Sequence, residues 1–356
     1  MGFDADAHNR LRANFDLFVR NAGDDPARLL GIAKSASRLG MWEQSRALLL
    51  RARDCAPQGS ELRRSIGGQI GGAIPSWHLS MLHDRQRNDA FERAIAANVR
   101  PGDRVLDIGT GSGLLAMMAV RAGAREVIAV EMDPLLADAA AQVVAQNGMA
   151  DRIRVIPRCS TDLDAEADLG GPVDVIVGEI LANNLLLEGV QPTMKHAAGH
   201  LLRPGGRMVP QSADIMVALC EWDSFHAFED VSGFDLSAFN PLITTPRRMG
   251  ADHEHLVMRS APAPLFAFDF TDPAMADARS TRLMLECTGG PANGVAQWLR
   301  IRLDAEVDYE NRPDAEYKSH WRPVFYPFDR PVMTEAGALL AIEGSHDPLS
   351  ISIWKA

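Results

Sequence analysis

The 356-residue sequence predicts an α/β domain built on a parallel sheet, followed by a mainly β domain and preceded by a short helical segment. Strand-like and helix-like stretches alternate from about residue 75 to 210. After the turn RPGG at 203–206, helical periodicity gives way to apolar strands divided by Pro, Gly and Asp. The length exceeds one ordinary domain and suits two. The expected division is 1–62 helical, 63–210 α/β and 211–356 β-rich, with the boundary near Pro210.

In LLGIAKSASRLGMWEQSRALLLRARDCAP, residues Ala33, Gly40, Trp42, Ser45, Leu49, Ala52 and Pro57 fall at the spacings of one tetratricopeptide helix-turn-helix unit, about 26–59. A lone unit leaves an apolar face uncovered, so it is either a plain hairpin packed on the next domain or a partner-binding repeat. In the α/β domain the strands are RVLDI (104–108), EVIAV (126–130), RIRVI (152–156) and DVIVG (174–178). Asp133 can N-cap a helix with Pro134 at its first position, and Asn147 and Gly148 stop it. The later segments IMVALCEW, LFAFDF, WLRIRLDAEVDY and LLAIEG read as strands.

Hydrophobic residues at 46% and charged residues at 23% describe a globular chain. No stretch approaches the roughly 18 to 20 apolar residues of a membrane span, and the N-terminus is charged from its fourth residue, so neither an anchor nor a secretory signal is expected. Four cysteines without CxxC spacing argue against a disulfide framework and a zinc site, which makes reduced cytoplasm the expected address. A formal net charge of −11 disfavours nucleic acid and favours a basic partner. ADHEHL (251–256), with Asp252, His253 and His255, and the pair His196 and His200 each lack a complete ligand set, so no metal is expected. Met117 and Met118 read as core.

VLDIGTGSGLLAMMAV is a strand ending in Asp107, a loop with Gly109, Gly111 and Gly113, and an apolar helix. Such a loop lets a cofactor approach the backbone closely. The next strand leads to Glu131, whose carboxylate can take both ribose hydroxyls of a nucleoside. A glycine loop alone is also compatible with NAD or FAD. The spacing G-x-G-x-G provides no third glycine for a pyrophosphate at the helix start and favours the phosphate-free nucleoside of S-adenosylmethionine.

In VDVIVGEILANNLLLEGV (173–190), Glu179 ends the fourth strand and Glu188 follows nine residues later. On a regular helix that separation is about 900°, opposite faces, so the two converge only if a loop doubles back. Spacing alone leaves open that Glu188 is a solvated helix residue.

With WHLSMLHDRQRNDAF (77–91), VLDIGTGSG, LLRPGGRMVPQSADIMV (201–217), SGFDLSAF (232–239) and KSHWRPVFYPF (318–328), the chain resembles the protein arginine methyltransferase family from about 75 to 330. It looks most like the branch represented by the seventh and ninth human members. The resemblance implies a class I methyltransferase (Rossmann-like) sheet domain, a barrel-like β domain, S-adenosylmethionine as cofactor and an arginine-containing protein as substrate. It implies that Glu179 and Glu188 form the paired-glutamate loop, and that Ser319, His320 and Trp321 correspond to the Thr-His-Trp loop. By the same match Arg87 pairs with the cofactor's methionine carboxylate, Glu131 with its ribose, and Met81 lies at the transferring end, while His78 orders the covering helix. A segment from about 222 to 260 corresponds to a dimerisation arm, which implies a homodimer.

Two carboxylates suit this chemistry because arginine stays protonated at ordinary pH. They can grip and orient the guanidinium through charge-assisted hydrogen bonds while a glutamate or His320 takes the proton and Trp321 walls the slot against water. The chain departs from the family at GGQIGGAIPS (67–76), where many members carry paired tyrosines on the covering helix, and at Ser160 and Thr161, where many place a glutamate against adenine.

Overall fold

The computed structural model describes residues 5–73, 77–223, 225, 228, 230–243, 245–250, 255–317 and 319–356. Six helices come first: α1 (Ala5–Ala22), α2 (Pro26–Arg38), α3 (Trp42–Cys55), α4 (Glu61–Ala73), α5 (Trp77–Leu82) and α6 (Arg85–Asn98). α2 starts where Asp25 accepts the N–H groups of Ala27 and Arg28, with proline in the first turn. α2, α3 and α4 share a small core of Leu29, Leu30, Ala33, Leu48, Leu49, Ala52 and Ile66. The buried Ser45 hydroxyl donates to the Ala33 carbonyl at 2.8 Å across the α2–α3 contact.

The parallel sheet contains β1 (Arg104–Ile108), β2 (Glu126–Val130), β3 (Ile153–Ile156), β4 (Val173–Gly178) and β5 (Leu202–Val209), in the order β3-β2-β1-β4-β5. Helices α7 (Leu114–Ala122), α8 (Pro134–Gln146) and α9 (Val190–His196) connect its strands. All four pairings are parallel. Asp133 accepts the Leu135 N–H at 3.0 Å and starts α8 as its sequence requires. RPGG lies inside the span of β5: Leu202 pairs with Val173 and pairing resumes only where Arg207 meets Val175, so these residues loop out of the ladder. The sheet's order reverses at β1 and β4, where open α/β sheets bind ligands beyond their carboxyl ends.

β6 (Ser212–Trp222) carries the chain into the second domain. A hairpin of β7 (Asp230–Val231) and β8 (Phe234–Asp235), the short α10 (Asn240–Ile243), β9 (Arg247–Arg248) and β10 (Leu256–Met258) follow. Then come β11 (Ala263–Asp269), β12 (Arg279–Glu286), β13 (Gly290–Arg302), β14 (Asp308–Glu310), β15 (Val324–Thr334), β16 (Leu339–His346) and β17 (Ile351–Lys355). The main sheet runs β10-β6-β13-β15-β9, with β11 also on β6 and β14 on β13, and a second sheet runs β12-β16-β17. Phe266 and Phe268 of β11 pack on His346 of β16, at ring separations of 4.8 and 5.0 Å, and join the two sheets.

One contiguous core runs from Phe91 and Ile95 of α6 through the parallel sheet to Ile215, Leu299 and Ile342 of the β-rich part. That shared core holds loops from both halves in fixed register around one cleft. Leu106, fully buried in β1, is part of it. Leu106→Ala is expected to lower unfolding stability by about 2–5 kcal/mol; a loss under about 1 kcal/mol in urea denaturation would contradict the packing.

Candidate active site

A cleft of about 1490 Å3 opens at the carboxyl end of the parallel sheet, where β1, β2 and β4 end and the loop 319–322 of the β-rich part folds over. Gly109, Glu131, Ser160, Glu179, Glu188, Met81, His320 and Trp321 all line it. This exceeds the roughly 300–1,000 Å3 of ordinary small-molecule pockets and leaves room for two ligands at once.

Of the glycine loop, Gly109 lines the cleft, while Gly111 and Gly113 lie behind it. Gly109 has φ +69°, and a Cβ there would lie 2.4 Å from Cγ2 of Ile180, so only glycine fits this approach of two loops. Gly113, with φ +81°, caps α7, and the Gly111 N–H donates to Glu131 at 3.0 Å. Glu131 also accepts the Asp133 N–H at 2.9 Å, which uses one lone pair on each carboxylate oxygen and fixes its direction. Burial pushes its carboxyl upward against these hydrogen bonds.

Asp107 is fully buried under the loop and accepts from the Thr110 hydroxyl at 2.5 Å. Burial raises its carboxyl to about 6, partly offset by Thr110 and by the nearby Arg87 charge. Two buried atoms here have no hydrogen-bond partner among the described residues: Oδ1 of Asp107, an acceptor, and Nε of Arg87, a donor. Buried polar atoms are seldom left unpaired. An α-amino acid offers an ammonium and a carboxylate that would satisfy both, so the site fits the methionine end of S-adenosylmethionine.

Arg87 is 3% exposed and serves several partners. Its Nη1 donates to Asn88 at 2.8 Å and its Nη2 to Glu179. The guanidinium therefore ties α6 to Glu179 at the end of β4.

Between Glu179 and Glu188 the chain turns back on itself. An isolated bridge joins Ala182 to Leu185, Leu185 takes φ +71°, and the Leu185 N–H donates to the Ala182 carbonyl at 2.8 Å. Gly189 then caps α9, so Glu188 precedes the helix and is not one of its residues. Glu188 is open to the cleft yet walled by protein. Burial, then the charges of Glu179 and Glu131, raise its carboxyl to about 7.

The other wall is organised by Asp84, which precedes α6 and is 3% exposed. It accepts from the His320 N–H at 3.0 Å, from Tyr317 at 2.6 Å and from the Arg87 N–H at 2.9 Å, and it pairs with Nδ1 of His320 at 2.8 Å. The Tyr309 hydroxyl donates to Ser319 at 2.8 Å, and Ser319 can pass its own proton to Asp84 at 3.2 Å. Burial alone would raise the Asp84 carboxyl, but the hydrogen bonds led by His320 and Tyr317 hold it well below the usual carboxylate range. Trp321 is buried and donates its indole N–H to the Leu181 carbonyl at 2.7 Å, which locks this loop to the paired-glutamate loop.

Thr161 does not join the cleft: it is exposed and contacts Cys159 at 3.1 Å, while its neighbour Ser160 is buried and lines the wall. Arg87, with charged neighbours in sequence, is buried rather than on the surface. Asp84, Tyr309 and Tyr317 carry no site signal in the sequence, which shows only an ordinary helix N-cap and two tyrosines in turn-rich segments. Asp252 and His253 of ADHEHL lie outside the described residues, and no metal-binding group occurs among those described.

A family profile described as ribosomal protein L11 methyltransferase (PrmA) matches residues 90–217. An arginine N(omega)-methyltransferase of Streptomyces achromogenes subsp. streptozoticus is 38% identical over 324 residues, covering 89% of this chain and 87% of the relative. Protein arginine N-methyltransferase 7 of Danio rerio is 29% identical over 308 residues, 78% of this chain and 45% of the relative, so the chain spans under half of that protein. Among solved structures, the Trypanosoma brucei PRMT1 enzyme-prozyme heterotetrameric complex with AdoHcy superposes with a TM-score of 0.67 at 24% identity, over 79% of this chain and 96% of that one. Arabidopsis thaliana protein arginine methyltransferase 10 gives 0.62 at 23%, over 75% and 86%. These two likenesses establish the shared fold, and the 38% identity along most of both chains establishes kinship. The protein belongs to the arginine N-methyltransferase family of S-adenosylmethionine-dependent enzymes.

Proposed function

We propose that this enzyme methylates a guanidino nitrogen of arginine in a protein substrate, using Glu179 and Glu188 to grip the guanidinium. The observation that carries this reading is the turn at 182–185, which brings Glu188 into the same cleft as Glu179 and raises its carboxyl to about 7. Burial raises it first and the charges of Glu179 and Glu131 add to that, and a cationic acceptor offsets both. When bound, S-adenosylmethionine supplies an electrophilic methyl on sulfur. The protein's own work is binding and orientation. Arg87 and Asp107 hold the amino-acid end and Glu131 the ribose, with Gly109, Gly111 and Gly113 as the supporting backbone loop and Met81 and Ser160 on the walls. The two glutamates direct one guanidino nitrogen toward the methyl.

The nitrogen becomes acidic as it is alkylated, so a weak base suffices. Glu188 is one candidate. His320 is another, because Asp84 occupies its Nδ1 and leaves Nε2 as the end able to take a proton. Trp321 excludes water beside them. The division at 62 and 210 follows the same logic: the α/β part holds the cofactor and the β-rich part closes the acceptor side. The helical segment with its single tetratricopeptide-like unit precedes both, and we place the enzyme in the cytoplasm. No described helix is long and apolar enough to cross a membrane.

The arm at 222–260 presents Phe234, Phe239 and Leu242, which are 71%, 55% and 69% exposed. Such an apolar surface supports a homodimer. Light scattering is expected to give twice the 38.7 kDa chain mass at micromolar concentration and to fall to one chain in Phe234→Glu; a wild-type monomer would exclude this assembly.

Transfer of labelled methyl tests the acceptor. The Streptomyces relative is named for arginine without mention of protein, so free arginine belongs among the acceptors compared. An Arg-rich peptide is expected to be labelled, with its Arg→Lys twin unlabelled and activity down at least about 100-fold in Glu179→Gln. Labelling of free arginine alone would move the substrate to small guanidines.

The pH dependence is set by Glu188, whose working form is the carboxylate. Raised to about 7, it is protonated below that pH, so kcat/KM for the acceptor should rise between pH 6 and 8 with an inflection near 7. The kcat profile should shift to lower pH, because bound guanidinium favours the charged form. A flat kcat/KM across that interval would remove Glu188 from the grip.

A further inference from the structure

Helix α3 lies against α8 through two ion pairs. Arg46 meets Asp133 at 2.5 Å and Arg53 meets Asp138 at 2.9 Å. The Arg46–Asp133 pair is largely shielded, with side chains 26% and 10% exposed. Asp133 is also the residue whose N–H orients the ribose carboxylate Glu131. The first turn of α3 is thereby brought to the nucleoside end of the cleft, where Trp42, Glu43 and Arg46 form part of the lining together with Met132 and Ser160. Trp42 and Arg46 are one helical turn apart and share a face.

Two large apolar side chains are left exposed on this wall. Trp42 is 58% exposed, and Met132, directly after Glu131, is 67% exposed. Both border the cleft that Glu131, the carboxylate expected to hold a ribose, also lines. The segment that carries paired tyrosines in many relatives supplies no aromatic ring from α4, where Gly67, Gly68, Gly71 and Gly72 have open space at each missing Cβ.

We propose that the N-terminal helical unit is part of the cofactor site, with the Trp42 indole covering the adenine opposite Met132 and the Arg46–Asp133 pair holding α3 in place. The proposal rests on the S-adenosylmethionine reading of the cleft and adds to it a wall drawn from outside the α/β domain. A flat purine offers both faces to such side chains, and stacking on an aromatic ring is sequence-tolerant and strong enough to affect affinity by tenfold or more. The helical unit then has a function that needs no array of repeats. It also explains how a chain with glycines in α4 can still enclose the base.

The test is calorimetric titration of the full chain with S-adenosylhomocysteine, comparing wild type with Trp42→Ala, Trp42→Phe, Glu131→Gln and, as a control on α3, Arg51→Ala. Arg51 pairs with Asp24 on the exposed side of the helical unit. Trp42→Ala should raise Kd about tenfold or more, Trp42→Phe should recover most of the loss, and Arg51→Ala should match wild type. In kinetics, Trp42→Ala should raise KM for the cofactor by a similar factor while KM for the acceptor stays within twofold. Thermal melts of the Trp42 variants should track wild type because the side chain is exposed. If Trp42→Ala binds within twofold of wild type while Glu131→Gln loses affinity, the helical unit is not part of the site and the cofactor reading survives. Equal losses in Trp42→Phe and Trp42→Ala would overturn the stacking role, and a wild-type chain that does not bind would overturn the cofactor reading itself.

Discussion

The buried carboxylate of Asp84 holds the two halves of the site together. It precedes α6 on the α/β side, and its hydrogen bonds reach Tyr317, Ser319 and His320 on the β-rich side. A buried charge is costly unless fully paired, and this one is paired from several directions at once. The consequence is geometric: these bonds tie the loop carrying His320 and Trp321 to the start of α6. From there Trp321 reaches the Leu181 carbonyl, and the Arg322 N–H reaches the Asn183 side chain, so the paired-glutamate loop is set by the same chain of contacts.

The electrostatics of the cleft follow from crowding carboxylates into a partly dry space. Glu131, Glu179 and Glu188 face one cleft, and Glu188 carries the strain of the arrangement as a raised carboxyl. Arg87 is the counterweight, committed to Glu179 through one nitrogen while its Nε remains unpaired. An acceptor that is itself cationic completes the balance. A neutral acceptor would leave the carboxylate charge in the cleft less compensated, which disfavours it on Coulombic grounds.

Domain association matters as much as either fold alone. The α/β part and the β-rich part share one core, which joins the two walls of the cleft. The helical unit has its own separate core and meets α8 through charged contacts. Its position depends on those ion pairs to a greater degree than the two larger parts depend on theirs.

Local signals determined much of the fold. The segments 104–108 and 126–130 are strands with the bounds their alternation with helices predicts, and α8 begins at the proline after its Asp133 cap. These features follow from backbone preference and apolar pattern within a few residues. Glu131 and Glu179 were expected in the cleft for the same reason, each following a strand whose carboxyl edge borders it, and both line it. Glu188 was not determined by spacing, because a separation of nine residues means convergence only when the intervening chain turns, and the turn at Ala182 to Leu185 is held by packing. RPGG reads locally as a turn but loops out within β5, since pairing with β4 resumes after it. Ser160 and Thr161 are adjacent in sequence, yet only the first lines the cleft. Asp84 joined to Tyr309 and Tyr317, and Arg46 of α3 joined to Asp133, are contacts between residues far apart in the chain. Sequence pattern records which faces are apolar and where elements begin. Which distant side chains then meet was decided only by tertiary packing, through buried charges that must find partners.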